Sequence, residues 1–541
     1  RKVSDPAYIR QLAQRLLLDN PHRVTLVMTP DTQLSQRRLE AETRRLAELK
    51  AGMDASAKQA VIELAQKLEQ RQQRKDDPGV LPCVTLADVP ERIPELNYTE
   101  YARGPLRLTR YTQGTNGLVY QHVVAPLPAL SEDDLALLPL YTRALTEIGL
   151  GDEDYLQVQQ RQAATVGSIS ASTSLRSELH DVQRLHGYFS LSSRALARNS
   201  RAQASLMRDT LEQVRFDEDA RIRELVSQSR ARREQSVTGN GHGLAMAAAC
   251  AGMSGLASIN NRLGGLEGIR RLKALDDSLQ QADARDALRD ALTRVHTQVI
   301  AMPRELLAIA DEHAAEAVCH EALALWGDAV GGSQDRATLS AAPVLEARRE
   351  FWVANTQVNF CARAYPTVPI GHPDAPALTV LGGFLRNGFL HRAIREQGGA
   401  YGGGAGQDSG IAAFRFYSYR DPRLVETLDD FDESVRWMLE SQHDPRGLEE
   451  AILGVIGSLD KPASPAGEAR QHFYNRLFGR SHAQREAFRR AILEITLDDL
   501  RRVAGCYLTP ERASTAVVSN RKQQEKLGSA LAELELRVEV L

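Results

Sequence analysis

The run Ile394-Arg395-Glu396-Gln397-Gly398-Gly399-Ala400-Tyr401-Gly402-Gly403-Gly404-Ala405-Gly406 joins two kinds of periodicity. Residues 389–395 read as helix. Residues 410–419 alternate as a strand, with Phe414, Phe416 and Ser418 on one face and Arg415, Tyr417 and Tyr419 on the other. The glycines approach the spacing of a phosphate cradle, yet a dinucleotide fingerprint follows a strand and opens a helix. Here the order is reversed and the Lys-Ser/Thr of a P-loop is missing, which argues against a nucleotide site. The direct reading is a helix ending in a flexible loop whose backbone can approach a partner closely. Arg395 brings a guanidinium donor fork and Tyr401 a phenol donor, and both could reach a peptide carbonyl or an oxyanion. An ordinary arginine near a helix end and a packed tyrosine fit the composition equally well.

Outward from this run, Val358, Phe360, Ala362 and Ala364 alternate as a strand, and residues 375–385 read as helix. Asp421-Pro422 breaks the strand after the glycines. The next helix carries Leu424, Leu428, Phe431, Val435 and Met438 on one stripe. Residues 513–518 form a last strand. An earlier region, 96–336, repeats the plan with strands over 117–124, 168–174 and 187–193. Ser131-Glu132-Asp133-Asp134 caps a helix there. Long helices span 202–235, and the small-residue stretch 238–255 separates them from further helices. Residues 1–95 read as a strand over 22–28, where Val24, Leu26 and Met28 alternate, followed by a helical hairpin that ends at Asp76-Asp77-Pro78-Gly79. The expected organisation is therefore a linker (1–95) and two related α+β domains (96–336 and 337–541), each a mixed sheet packed with helices.

Composition removes several function classes. Apolar residues make up 43% and charged residues 25%, ordinary for globular protein, and the net charge of -3 gives no global field for nucleic acid. No apolar run approaches a membrane span. The five cysteines lie far apart with no C-x-x-C, which excludes a disulfide scaffold and a thiolate zinc site. No two of the thirteen histidines lie four apart, the spacing that shares a metal from one helix face. There is no G-x-S-x-G elbow, and Cys361 sits in a strand pattern without a local base, so an apolar packing role is expected for it. Only nine of the 67 basic residues are lysine, a usage that suggests a GC-rich bacterial genome. The chain starts at Arg1, which suggests a piece of a longer one.

The block from Ile394 to Gly402 resembles the C-terminal signature of the pitrilysin/insulinase metallopeptidases, most nearly their presequence-protease type. Val358-Asn359-Phe360, Phe416-Tyr417-Ser418-Tyr419-Arg420-Asp421-Pro422, Asn20-Pro21-His22-Arg23-Val24, Leu81-Pro82 and Thr115-Asn116-Gly117-Leu118-Val119-Tyr120 look like that type too. The resemblance implies four homologous α+β domains in two halves that close around a peptide-admitting chamber. It implies zinc held by H-x-x-E-H in the first domain, and an Arg and a Tyr from the last domain that hold the substrate backbone and the tetrahedral intermediate. Those last roles fall on Arg395 and Tyr401, with Gly398, Gly399 and Ala400 as substrate-binding backbone.

No H-x-x-E-H exists here, and no histidine lies between His122 and His180, so the zinc-helix counterpart at residues 138–155 has no ligands. The expectation is a chain without metal or cofactor of its own, the non-catalytic C-terminal half of a zinc metalloendopeptidase. Zinc would belong to the missing N-terminal half. Its partners would be that catalytic half and peptide substrates, with neither nucleic acid nor membrane. The bacterial cytoplasm is the expected compartment. A catalytically inactive scaffold subunit of the same superfamily is the alternative.

Overall fold

Two sheets of near-identical topology carry the described chain. A computed structural model describes residues 5–541 except 6, 30, 32, 74–81, 328–337 and 340–342. It divides into two units, Arg1–Val84 and Thr85–Leu541. The border expected at 336/337 and the Asp76–Gly79 stop lie outside the described residues.

The first unit contains helices α1 (Leu34–Ala51) and α2 (Ala55–Gln73). Asp54 starts the second, its Oδ1 accepting from the Ala57 N–H at 2.7 Å. Leu39, Leu46 and Leu49 of α1 and Val61, Leu64 and Leu68 of α2 form apolar stripes that are exposed. The strand expected over 22–28 does not form. Val24, Leu26 and Met28 are exposed, and no described strand pairs with them. Alternation alone does not hold a strand that lacks a hydrogen-bonded neighbour.

In the second unit, β1 (Thr99–Arg103), β2 (Leu106–Thr112), β3 (Leu118–Pro126), β4 (Ser168–Ser177), β5 (Leu185–Leu196), β6 (Glu305–Ala310) and β7 (Thr338–Leu339) make one sheet, ordered β1-β2-β6-β3-β5-β4 with β7 beside β5. Strands β8 (Arg349–Val353), β9 (Phe360–Pro366), β10 (Gly402–Asp408), β11 (Ala413–Tyr419), β12 (Ser514–Ser519) and β13 (Arg537–Val540) make the other, ordered β10-β11-β9-β12-β8-β13. Strand for strand, β2-β6-β3-β5-β4 corresponds to β8-β12-β9-β11-β10. The single internal parallel pair falls at the same place in both, β2 with β6 and β8 with β12. The outermost strand differs. β1 joins β2 as an antiparallel hairpin, whereas β13 comes from the far end of the chain and runs parallel to β8. The α+β reading with two related domains is thus the observed architecture.

Each sheet has two apolar faces. One face of the second sheet, with Phe351, Cys361, Tyr365, Phe414, Phe416 and Val517, is covered by helices of its own repeat. Its other face, with Trp352, Phe360, Ala362, Ala364, Ala516 and Val518, joins the first repeat's core under helix α3 (Asp219–Cys250). Asn240 is non-helical (φ -129°, ψ 26°), so this span is two helices meeting at a kink inside the small-residue stretch expected to separate helices, and the second of them runs on through most of that stretch to Cys250. Small residues serve close approach here: a Cβ on Gly241 would lie 2.3 Å from the Phe360 ring. The exchange is mutual. Helix α4 (Pro465–Leu477) of the second repeat places Ala466, Ala469 and Phe473 against Tyr111, Val124, Tyr188, Leu307 and Ile309 of the first sheet.

Two outcomes test this packing. Gly241→Ala forces Phe360 or the helix aside and lowers stability by about 1–3 kcal/mol, read as a fall in Tm. The second concerns His122, buried on β3 with an unpartnered Nδ1. Burial, with some repulsion from Arg470, pushes its pKa from the ordinary 6.5 to about 3. The unfolded chain takes up this proton near pH 6.5 and the folded chain only near pH 3. Stability is therefore full above that window and drains away as pH falls through it. His122→Leu flattens the Tm-against-pH curve between pH 6.5 and about 4 if the ring is responsible.

Candidate functional site

The glycine run is not a flexible loop. Residues 402–408 form β10, an edge strand paired along its whole length with β11, from Gly402 opposite Tyr419 to Asp408 opposite Ala413. Its glycines are a packing surface. A Cβ on Gly382, in the helix Ala375–Leu385, would meet the Gly406 Cα at 2.6 Å, and one on Gly403 would meet the Ile394 side chain at 2.8 Å. Helix and strand touch at backbone distance because Gly382 has no side chain, whereas a Cβ on Gly402 or Gly406 would meet nothing within 4 Å.

The helix Ala375–Leu385 continues as a wider π-helical segment, Arg386–Gln397, that carries Arg395 on its last turn. Gly399 ends it in the left-handed region (φ 78°), where a non-glycine residue is strained. The Gly399 N–H donates to the Arg395 carbonyl and the Ala400 N–H to the Ile394 carbonyl, both at 3.1 Å. These bonds span one residue more than in the usual cap on an α-helix, as the wider turn requires. The chain then reverses so that Tyr401 donates its N–H to the Tyr419 carbonyl at 3.1 Å and enters β10.

The turn is held from behind by Arg423. Its Nη2 donates to the Ala393 carbonyl at 3.2 Å and to Asp430 at 2.7 Å. Gly398 leaves the room: a Cβ there would lie 2.0 Å from that nitrogen. Arg423 is itself fixed by a buried polar network. Asn359 Nδ2 donates to the Asp421 and Arg423 carbonyls at 3.1 and 3.0 Å, and Ser519 donates to Asn359 Oδ1 at 2.6 Å. Thr427 and the Arg423 N–H donate to the Asp421 carboxylate. Burial nonetheless raises that carboxyl's pKa.

Arg395 and Tyr401 are brought together. The guanidinium carbon lies 6.0 Å from the Tyr401 ring centre, at the outer reach of a cation–π contact. Tyr401 is 68% exposed, unusual for a tyrosine in a turn packed this closely. Its ring stands edge-on to Tyr419 (5.6 Å), which in turn meets His242 of α3 (4.8 Å). Among the described residues, neither the guanidinium nor the phenol OH makes a hydrogen bond or ion pair. The ring touches Tyr419 while most of the side chain is exposed, which argues against the packed-tyrosine reading. Ala400 is buried, and Gly398 and Gly399 form the turn. Sequence reasoning did not single out Asn359, Arg423 or His242. The first two lie in or beside stretches already noted, but their roles depend on long-range pairing.

The zinc-helix counterpart, residues 138–155, carries no histidine, and its carboxylates at Glu147, Asp152, Glu153 and Asp154 belong to no metal-holding cluster among the described residues. Helix Glu132–Ala144 turns Leu135, Leu138 and Tyr141 into the core, and Tyr141 bonds His296 at 3.1 Å. Among the described residues no group of three or more His, Cys, Asp or Glu could hold a metal ion. No helix of the described chain is long and apolar enough to cross a membrane.

With this geometry in hand, the comparisons with known proteins define a class. The family model for the region associated with peptidase family M16, subfamily C, matches residues 28–275, and that of the "PreP C-terminal domain" matches 349–519. The chain belongs to the pitrilysin-type peptidases, in the part that forms their C-terminal half. More particularly, it is similar to a mitochondrial presequence protease of Danio rerio, at 28% identity over 93% of this chain and 51% of the relative. It is also similar to the chloroplastic/mitochondrial presequence protease 1 of Arabidopsis thaliana, at 26% over 92% and 46%. The chain spans about half the length of the curated relatives it matches. Its fold is like a peptidase M16 inactive domain from Pseudomonas fluorescens (TM-score 0.54, 15% identity, 79% of this chain and 98% of that one). The expectation of a bacterial cytoplasmic protein is corrected by these relatives, whose names place them in mitochondria or chloroplasts. Codon usage reports base composition, and it carries no address.

A substitution pair checks the account of the turn. Gly398→Ala drives a methyl group into the Arg423 guanidinium and lowers stability by about 1–3 kcal/mol. Gly402→Ala, four residues on, meets nothing within 4 Å and leaves Tm within about 1 °C of the parent.

Proposed function

We propose that this chain is the non-catalytic C-terminal half of a zinc metalloendopeptidase that degrades peptides, and that Arg395 and Tyr401 contact the substrate during cleavage. The observation that carries the reading is the Arg395–Tyr401 pair. Its backbone is rigidly held, its rings are seated, and its donors are left without partners at the head of an edge strand. Preformed donors of this kind need no reorganisation when charge develops on a carbonyl oxygen. Arg395 supplies a fork that suits one or two backbone carbonyls, and Tyr401 a single directional O–H. The turn Gly398-Gly399-Ala400 sets their separation.

The described residues do not fit a zinc ion: the zinc-helix counterpart has no histidine and turns Leu138 and Tyr141 into the core. The metal is assigned to the half that the chain does not contain. The exposed apolar stripes of α1 and α2 support an extensive partner surface, and the N-terminal catalytic half is the proposed occupant. A scaffold subunit would use the same stripes but has no need of unpartnered donors at a substrate-facing turn.

The test uses the complete enzyme, both halves present, with a fluorogenic peptide. Arg395→Ala and Tyr401→Phe each lower kcat by about tenfold or more while KM changes less, because the donors act mainly on developing charge. Unchanged kcat in both variants removes the assignment and leaves the scaffold reading.

A further inference from the structure

A cavity of ≈ 510 Å³ opens where the two repeats meet, and none of its lining residues belongs to the Arg395–Tyr401 block. Leu179 and His180, just after β4, form one wall. Ile370 to Pro376, ahead of the helix Ala375–Leu385, form another, and the helices Pro465–Leu477 and His482–Leu493 close the rest. The first two walls are joined tightly. The Gly371 N–H donates to the Leu179 carbonyl at 2.8 Å, and a Cβ on Gly371 would lie 2.4 Å from the His180 ring.

The charges around this cavity do not balance. Arg480 and Arg485 line it, and neither guanidinium makes an ion pair or hydrogen bond among the described residues. Arg489, on the same wall, is by contrast satisfied by Asp460 (2.8 Å) and the Pro90 carbonyl (2.6 Å). Near Arg480 lies a second cation, Arg176. Its Nη1 reaches only the amide oxygen of Asn475 (3.3 Å), another lining residue, and its guanidinium lies over the Phe478 ring at 4.7 Å. The one carboxylate whose field reaches Arg480, Asp408, is paired with Arg415 at 3.2 Å. Burial holds Arg480 below the ordinary arginine range and Arg176 adds repulsion, while burial alone does the same to Arg176. Half-buried cations without a counter-charge cost stability unless something supplies one. The remaining lining is largely hydrocarbon, with Ile93, Leu179, Ile370, Pro376, Leu459 and Phe488. A concave, mostly apolar pocket with a few convergent polar groups is how small-molecule sites are built.

We propose that this cavity binds a small organic anion, a carboxylate or phosphate attached to an apolar body, with Arg480 and Arg485 holding the charge. A carboxylate source would be the free C-terminus of a short apolar peptide, and a phosphate source a small phosphoester. Planar two-donor recognition by arginine suits both.

The test is calorimetric titration and thermal shift of the 541-residue chain with three probes: the peptide Ala-Ala-Phe as free acid, the same peptide as its amide, and phenyl phosphate. The free acid or phenyl phosphate binds with a Kd of ~1 mM or tighter, and whichever does so identifies the source. The amide binds at least about tenfold more weakly than the free acid if the carboxylate is the source, and Arg485→Gln weakens the binding probe by about tenfold. Arg480→Met abolishes the probe-induced shift and raises Tm without probe, since it removes an uncompensated charge. Should Arg480→Met fail to fold, the Arg485→Gln titration decides alone. Arg395→Ala leaves all of these readings unchanged, which separates this site from the substrate-facing pair. Failure of both anions to bind below ~10 mM, or binding that neither arginine variant weakens, overturns the proposal.

Discussion

The second unit depends on an exchange of cover between its two repeats. A sheet with both faces apolar cannot remain with one face in water, and neither repeat has enough helices of its own. Helix Asp219–Cys250 of the first repeat lies across the second sheet, and helix Pro465–Leu477 of the second lies on the first. Each buried aromatic in these seams, such as Phe360 or Phe473, contributes about 1.5–3 kcal/mol. The site inherits its rigidity from this exchange. His242, which backs Tyr419 and through it Tyr401, sits on the borrowed helix.

That dependence explains the precision of the turn that carries Arg395 and Tyr401. Three separate stretches meet behind it: Asn359 at the start of β9, Asp421 to Thr427 after β11, and Ser519 at the end of β12. Satisfied buried polar networks fix one geometry because any slip leaves a donor or acceptor unpaired. The Arg395 and Tyr401 donors are thus free while Asn359, Asp421 and the Arg423 Nη2 beneath them are bonded, the division of labour expected of a preorganised contact.

Much of this was legible in the sequence. Period-2 alternation placed β9, β11 and β12, and capping signals placed the helix after Ser131. The repeated order of strand, helix and strand anticipated two related sheets. Three features were not legible, for identifiable reasons. The glycine run reads as a loop because strand propensity is carried by side chains, and here absent side chains permit the close helix–strand contact. The alternating Val24, Leu26 and Met28 read as a strand because periodicity does not say whether a neighbour exists. The helix that resumes after the kink at Asn240, through Gly241 and Gly243, was hidden by low helix propensity, which tertiary packing against Phe360 overrides. The arginine-lined cavity has no sequence signal at all, since its walls at Leu179 and Ile370 lie far apart in the chain.

The exchanged helices also impose an order on synthesis. Helix Asp219–Cys250 leaves the ribosome before any strand of the sheet it covers, and one outer strand of that sheet, β13, is made after all its other strands. A nascent first repeat therefore presents both an uncovered sheet face and an unclaimed apolar helix for the whole time the second repeat is being translated. Such exposed surface is what holding chaperones bind and what drives self-association. A translational pause between residues 343 and 541 would prolong the hazard, whereas one after residue 541 would come too late to matter to these seams.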